Sequence, residues 1–283
     1  MRELRIEDLR PVFVMGCQRS GTTMVASQLG VPDDSLALPE LPFITNVLKC
    51  EEQGKRATSA YKALTKHPKF PTLGLTISED DVQRSWQANR ALGVITLIIE
   101  KYLLSNQITI EPTGKINWIE HCPTNVDHFY LLRKYFPDAR FVHIIRDPRA
   151  IYASMKHMPR WAVSDPIKLS AVWLRIVSKG YLLATRHPDT VAQIHYEDYV
   201  QNNAILQNLC KFLDISYQEN MLEGGGVILP AFTASQHKLT LSKTDTSRVD
   251  RWKSAIPARE ADVIVHQCYE WLIELGYITD SLA

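Results

Sequence analysis

One segment constrains this chain more than any other: Gly16-Cys17-Gln18-Arg19-Ser20-Gly21-Thr22-Thr23. It follows the apolar run 11–16, which reads as a buried parallel strand. It precedes a predicted helix over 22–29, stopped by Gly30 and Pro32. A strand, a glycine-bounded loop and a helix start together offer free N–H groups and a favourable dipole to an anion. The glycine spacing, GxxxxG, is that of a nucleotide-phosphate loop. The lysine that normally follows the second glycine is absent, and Thr22 stands there. The basic residue is Arg19, two positions before Gly21. A loop lysine reaches β/γ-phosphates while the next hydroxyl holds Mg²⁺, so its absence disfavours metal-dependent ATP chemistry. An arginine inside the loop can itself neutralise charge on a transferred group. A plain glycine-rich turn is the bland alternative.

The rest of the chain alternates in the same way. Strands are predicted at 139–145 and 190–195, with Trp118 and Ile119 in a fourth. Helices are predicted at 126–136, 166–187, 203–213 and 258–275, and at 151–157 with Pro148 in its first turn. Strands alternating with helices imply an α/β fold around a central parallel sheet. Residues 36–104 are rich in helix formers and show no strand pattern, so they read as a helical insertion over the sheet edge. Residues 223–252, opening on Gly224-Gly225-Gly226, read as a mobile covering loop.

A second signature, Arg146-Asp147-Pro148-Arg149 with Ser154 beyond it, directly follows the strand at 139–145. Parallel strands end on one side of a sheet, so Arg146 and the Arg19 loop are expected to share a crevice. Arg146 and Ser154 could grip a second phosphate, one by charge and one by hydroxyl. A surface salt bridge between arginine and aspartate within this segment is the alternative.

Composition bounds what else the chain can do. It has 283 residues, 45% hydrophobic, with 32 Lys and Arg against 31 Asp and Glu, a formal net charge of +1. That argues against wholesale disorder and fits one domain spanning 1–283 with an insertion. Near-neutrality gives no general reason to expect nucleic acid or an anionic membrane as partner. The first ten residues lack the apolar stretch of a secretory signal. The longest apolar run, 91–99, is well short of the ~20 residues a membrane span needs. Five scattered cysteines without a CxxC pair suggest neither a disulfide framework nor a zinc site. A soluble cytoplasmic protein is the expectation.

Together, Gln18-Arg19-Ser20-Gly21-Thr22-Thr23 and residues 141–154 resemble the two nucleotide-binding segments of the sulfotransferases that use 3′-phosphoadenosine-5′-phosphosulfate (PAPS). The loop resembles the arginine-containing form found in tyrosine-protein sulfotransferases and many bacterial relatives. His195-Tyr196-Glu197-Asp198 and Arg248-Val249-Asp250-Arg251-Trp252 are similar to two further family elements. The resemblance implies a P-loop NTPase-like core, PAPS as donor with the 3′,5′-bisphosphate PAP as product, and no metal. It implies that Arg19, Ser20, Gly21, Thr22 and Thr23 cradle the 5′-phosphosulfate and that Arg146 and Ser154 hold the 3′-phosphate. Tyr196 would lie near the adenosine, with Arg248 and Arg251 closing over the nucleotide. Glu40 is the candidate general base, with Glu120 second. The family often carries a lysine where this chain has His121, which makes His121 a candidate for steadying the transferred group. Another basic residue is often found a turn beyond Ser154; here Met158 stands near that place, with Lys156 and Arg160 beside it. Trp86, Trp161 and Trp173 read as core residues. The expected activity is sulfuryl transfer to a hydroxyl of a small metabolite or glycan, with an amine acceptor left open. The alternatives are a P-loop nucleotide kinase and a nucleotide-binding module without catalysis.

Overall fold

The computed structural model describes residues 4–109, 114–156, 158, 162–227 and 245–279. Most of the expected covering loop (228–244), and Arg160 and Trp161 beside the second signature, lie outside the described residues.

Strand β1 (Leu9–Gly16) is buried at every position but Arg10, which suits the middle of a sheet covered on both faces. It lies between β3 (Ile116–Glu120) and β4 (Arg140–Ile145). Strand β2 (Ser35–Ala37) flanks β3, and β5 (Val191–His195) flanks β4. Every pairing is parallel, in the order β2-β3-β1-β4-β5. The register sets Phe13 beside both Glu120 and Phe141, and Gly16 beside Ile144. The chain therefore has the P-loop NTPase-like α/β architecture expected of it, with helices on both faces of a five-stranded parallel sheet. Strand β2 was not expected. Three residues are too few to show an alternation, and only the ladder with β3 makes them a strand.

The period-2 alternation along each strand divides the core. Phe13, Met15, Trp118, Phe141 and Ile145 face one side. There they meet α2 (Ile44–Glu52), α3 (Ala57–Thr65), α4 (Glu79–Ser105), α5 (Phe129–Tyr135), α6 (Pro148–Met155), α7 (Pro166–Arg186) and α11 (Ala258–Glu274). Val12, Val14, Ile119, Val142 and Ile144 face the other side. Their partners are α1 (Thr22–Leu29), α8 (Tyr196–Gln201) and α9 (Asn203–Leu213). The short α10 (Trp252–Ala255) precedes α11. Trp86 and Trp173 are buried, as expected of core residues.

Helices α2, α3 and α4 make up the connection from β2 to β3, so the expected helical stretch begins within an edge strand rather than after it. A capping box of Ser78 and Asp81 starts α4. The helix breaks at Asn89 and Arg90, and the Ala91 N–H freed there donates to Glu51 Oε2 at 2.8 Å. The start of the expected covering loop is docked: Gly225 N donates to Ser27 Oγ (2.8 Å) and Gly226 N to Ser27 O (2.9 Å).

One contact fixes α7 against the sheet. His143 of β4 is fully buried, and its imidazole lies over Gly180. Burial pushes its pKa down to about 4, so the ring is neutral near pH 7. A Cβ at Gly180 would sit 2.2 Å from His143 Nε2. Gly180→Ala gains about 1 kcal/mol of helix propensity. It must also displace an enclosed ring, a distortion that costs about 1–3 kcal/mol. The variant should melt a few degrees below wild type by scanning calorimetry. An equal or higher melting temperature would show that the ring moves freely.

Candidate functional site

The connections of the sheet make the site. From β1 the chain leaves toward β2, and from the adjacent β4 it leaves toward β5 on the other side. Where neighbouring strands send their chains apart, a crevice opens at their carboxyl ends. The segments after β1, β2, β3, β4 and β5 all gather at that end. They carry Arg19, Glu40, His121, Arg146 and Tyr196 respectively.

The loop after β1 turns tightly. A Cβ at Gly16 would meet Ile144 O at 2.5 Å, and one at Gly21 would meet the Tyr196 ring at 2.9 Å. Gly21 has φ 108°, which an L side chain rarely adopts. Ser20 closes the turn by donating from N (3.1 Å) and from Oγ (2.6 Å) to Cys17 O. No side chain caps α1, so its first N–H groups, with buried Thr22 and Thr23, are left for a ligand at the helix start. Arg19 itself lies at φ 68°, a left-handed conformation that costs energy outside glycine and accumulates at functional sites.

Arg19 ties the two signatures together. Its Nε donates to Ser154 Oγ at 3.0 Å. Arg146 Nη1 donates to Arg19 O at 2.9 Å, and Nη2 to Arg248 O at 3.3 Å. The Arg146 guanidinium lies 3.9 Å from the centre of the Tyr196 ring. From behind, Trp173 Nε1 donates to Arg146 O at 2.9 Å. Among the described residues, neither Arg19 nor Arg146 has a carboxylate within ion-pair distance. Arg146 Nε is buried and lacks a hydrogen-bond partner there. A buried guanidinium with an unused donor fits an anion such as a phosphate. The Arg19 guanidinium is held below its ordinary pKa, chiefly by burial and then by repulsion from Arg146 and Arg248. Glu40 and Tyr196 oppose that shift, which places both within electrostatic reach of Arg19.

The Arg–Asp pair considered for the second signature does form, but it is largely buried rather than on the surface: Arg149 holds Asp147 at 2.7 Å, and its guanidinium lies 4.1 Å over the Trp252 ring. Asp147 also caps α6 through Arg149 N (2.8 Å). The Asp147 N–H donates to Glu197, which accepts in turn from Tyr277 Oη (2.9 Å). Arg149 and Trp252 thus tether the segment holding Arg248 to α6. Arg248 also pairs with Asp245 at 3.3 Å. Arg251 is exposed, and no side-chain contact among the described residues brings it to the crevice. Lys156 is drawn off to Glu260 of α11 at 2.6 Å, and Met158 is half-buried.

The opposite wall is acidic. Glu120, at the end of β3, is fully buried. It accepts from Leu41 N (3.0 Å), Cys122 N (3.2 Å) and Asn125 Nδ2. Burial raises its pKa against those hydrogen bonds, and the charge of Glu40 adds to the rise. Glu120 therefore fastens the 38–43 segment to β3. Glu40, next to the fastened Leu41, has a side chain 22% exposed and pairs with Lys69 Nζ. His121 is buried between Glu120 and Cys122. Burial pushes the Cys17 and Cys122 thiols up to about 12, so neither provides a thiolate near pH 7.

The structure thus gathers Arg19, Ser20, Gly21, Thr22, Thr23, Glu40, Arg146, Ser154, Tyr196 and Arg248 at one end of the sheet. Sequence reasoning missed Lys69 and Asn125, and it read Trp173 as a core residue without its bond to Arg146. None of them carries a motif. Lys69 and Trp173 act through partners distant in sequence, Glu40 and Arg146, which no local pattern announces. Asn125 is closer to its partner Glu120, but only the turn after β3 aims it there. Among the described residues no cluster of His, Cys, Asp and Glu is placed to hold a metal ion, and no helix is long and apolar enough to cross a membrane.

Comparison with known proteins bears on the fold and the family. The sulfotransferase domain from the curacin biosynthetic pathway superposes with a TM-score of 0.56 at 19% identity, covering 92% of this chain and 98% of that one. The sulfotransferase domain of a Synechococcus olefin synthase gives 0.56 at 18% identity, with 93% and 94% covered. At such identities these likenesses speak for the fold. The protein-tyrosine sulfotransferase 1 of Danio rerio is 24% identical over 96% of this chain and 73% of its own length. A putative protein-tyrosine sulfotransferase of Caenorhabditis briggsae is 28% identical over 53% of this chain and 56% of its own. The model of the sulfotransferase family matches residues 11–219, from the strand that feeds the Arg19 loop to beyond α9, and the chain belongs to that family.

Proposed function

We propose that the chain is a single-domain enzyme that moves the sulfuryl group of PAPS to a hydroxyl of a small metabolite or glycan, releasing PAP. The observation that carries this reading is the convergence of Arg19, Arg146 and Arg248 without a carboxylate on Arg19 or Arg146 among the described residues, opposite an accessible Glu40. PAPS supplies an activated sulfuryl group on a phosphate leaving group.

The residues of the chain divide the work. The N–H groups at the start of α1, with Ser20, Gly21, Thr22 and Thr23, would hold the 5′-phosphosulfate. Arg19 would balance the charge that grows on the leaving oxygen, the interaction that counts most when it is stronger in the transition state. Arg146 and Ser154 would hold the 3′-phosphate, Tyr196 would lie beside the adenosine, and Arg248 and Arg251 would cover it. Glu40 would take the proton of the acceptor hydroxyl, a contribution of about 10²–10⁴-fold. His121 would donate a hydrogen bond toward the transferred group. Glu120, with its oxygens taken up by N–H groups, would keep the Glu40 segment in place rather than act as the base. In such a transfer the acceptor oxygen would bond to sulfur as the bond from sulfur to the phosphate oxygen breaks, with Arg19 facing the charge left on that oxygen and Glu40 holding the acceptor proton. The five described cysteines are all buried and free, which supports a reducing, cytoplasmic setting. A tyrosyl hydroxyl is the second reading of the acceptor, because the name of the Danio rerio relative gives tyrosine as that protein's target.

Titration calorimetry tests the donor. PAP should bind without Mg²⁺ and at least about tenfold more tightly than ATP, which offers nothing to a 3′-phosphate site built on charge-assisted hydrogen bonds. Tight binding of ATP with Mg²⁺ and none of PAP would favour a nucleotide kinase instead.

A further inference from the structure

Glu40 and Lys69 come from separate parts of the chain and meet at the mouth of the crevice. Glu40 follows β2, and Lys69 lies in the turn after α3. Both backbones are held from below. Leu41 N is fixed to the buried Glu120. The turn of Lys69 is packed on the same segment, with the Phe43 ring between His67 (5.7 Å) and Phe70 (5.8 Å). Lys69 N also donates to His67 Nδ1 at 3.2 Å. Two anchored backbones thus present a side-chain pair that remains open to solvent, with Lys69 49% and Glu40 22% exposed.

Ion pairs this exposed add little to stability, so the anchoring calls for another explanation. The surroundings of Glu40 supply it. Arg19 stands across the crevice within electrostatic reach of Glu40. A carboxylate left to itself would turn toward that guanidinium, which would neutralise the loop arginine and remove the base from the acceptor. Lys69 Nζ holds Oε2 of that carboxylate instead. Burial lowers its pKa, but the charge and hydrogen bond of Glu40, with smaller help from Cys122 and Glu120, outweigh this and leave it raised. Its ammonium therefore stays charged through the neutral range.

We propose that Lys69 is a positioning residue for the reaction: it holds one carboxylate oxygen of Glu40, keeps the side chain off Arg19 and leaves the other oxygen for the acceptor hydroxyl. The inference rests on Glu40 being the base. It assigns a task to the connection between β2 and β3, which no motif in the sequence reveals.

The test compares Lys69→Met, Lys69→Arg, Glu40→Gln and the double variant Lys69→Met/Glu40→Gln, with p-nitrophenol as acceptor and PAP release as the signal. Lys69→Met should lower kcat by about 10–100-fold, the scale of a misplaced catalytic group, and raise the KM for PAPS only about two- to fivefold, because a Glu40 that turns to Arg19 competes with the anion. Lys69→Arg should recover most of the loss. In the Glu40→Gln background Lys69→Met should cost no more, because the group it positions is already disabled. Full kcat in Lys69→Met, or an equal loss in both backgrounds, would overturn the assignment. Normal turnover by Glu40→Gln would instead sink the base reading, whatever Lys69 does. Should p-nitrophenol be a poor acceptor, the crystal structure of Lys69→Met with PAP decides. Glu40 should have swung from its wild-type place, and an unmoved Glu40 would overturn the inference.

Discussion

Arg19→Ala is expected to lower kcat for sulfuryl transfer by at least about 10²–10³-fold, the usual loss when one donor to a developing oxyanion is removed. Its effect on stability should run the other way. Arg19 is a desolvated cation repelled by Arg146 and Arg248, and among the described residues it has no ion-pair partner to offset that cost. What it gives the fold is one hydrogen bond, from Nε to Ser154 Oγ. Alanine accepts the left-handed φ of 68° no worse than arginine does, so the backbone strain is unchanged. The variant should therefore melt at or slightly above the wild-type temperature while losing activity, a separation typical of residues kept for function against stability. It should also bind PAP more weakly. Arg19→Lys restores the charge without the guanidinium fork and should recover only part of the rate. A clear fall in melting temperature for Arg19→Ala would mean that the arginine braces the loop, and retained activity would remove it from the mechanism.

Much of this site is legible from local sequence, and the limit is physical. The Arg19 loop and the Arg146 segment each compress a strand end, a turn and a helix start into fewer than ten residues. Glycine spacing and Pro148 therefore report their backbone directly. That both should face one crevice follows from parallel strands alone. Helices α1 and α9 have the bounds expected of them, because local residues set them. Gly30 ends α1, and the Asn202 side chain opens α9 by accepting from Ala204 N at 3.0 Å. Strand β2 has no local signal, since three residues carry no period. The division between Glu40 and Glu120 is hidden because it too depends on distant contacts. Both are carboxylates near prolines in sequence, and only the approach of Leu41 N and Asn125 to Glu120 separates a fastening from an available base. Lys69 is the extreme case, one lysine among many until the fold brings it to Glu40.

Glu40→Gln should remove most of the activity and little else. The amide has nearly the shape of the carboxylate, and its oxygen can still accept from Lys69, so the segment between β2 and α2 should stay in place. It cannot take up a proton at neutral pH, so transfer should slow by about 10²–10⁴-fold. Nucleotide binding should hold or improve slightly, because a negative charge within reach of Arg19 is gone and an anion at the loop no longer competes with it. If product release limits wild-type turnover, steady-state kcat would understate the loss, so the comparison belongs in single-turnover experiments with enzyme in excess over PAPS. Wild-type rates in such an experiment would end the case for Glu40. A parallel loss of PAP affinity would carry a different meaning, since it would show that the carboxylate supports the Arg19 loop as well as facing it. The expected pattern, chemistry lost and PAP retained, is the one that a base on the wall opposite the arginines requires.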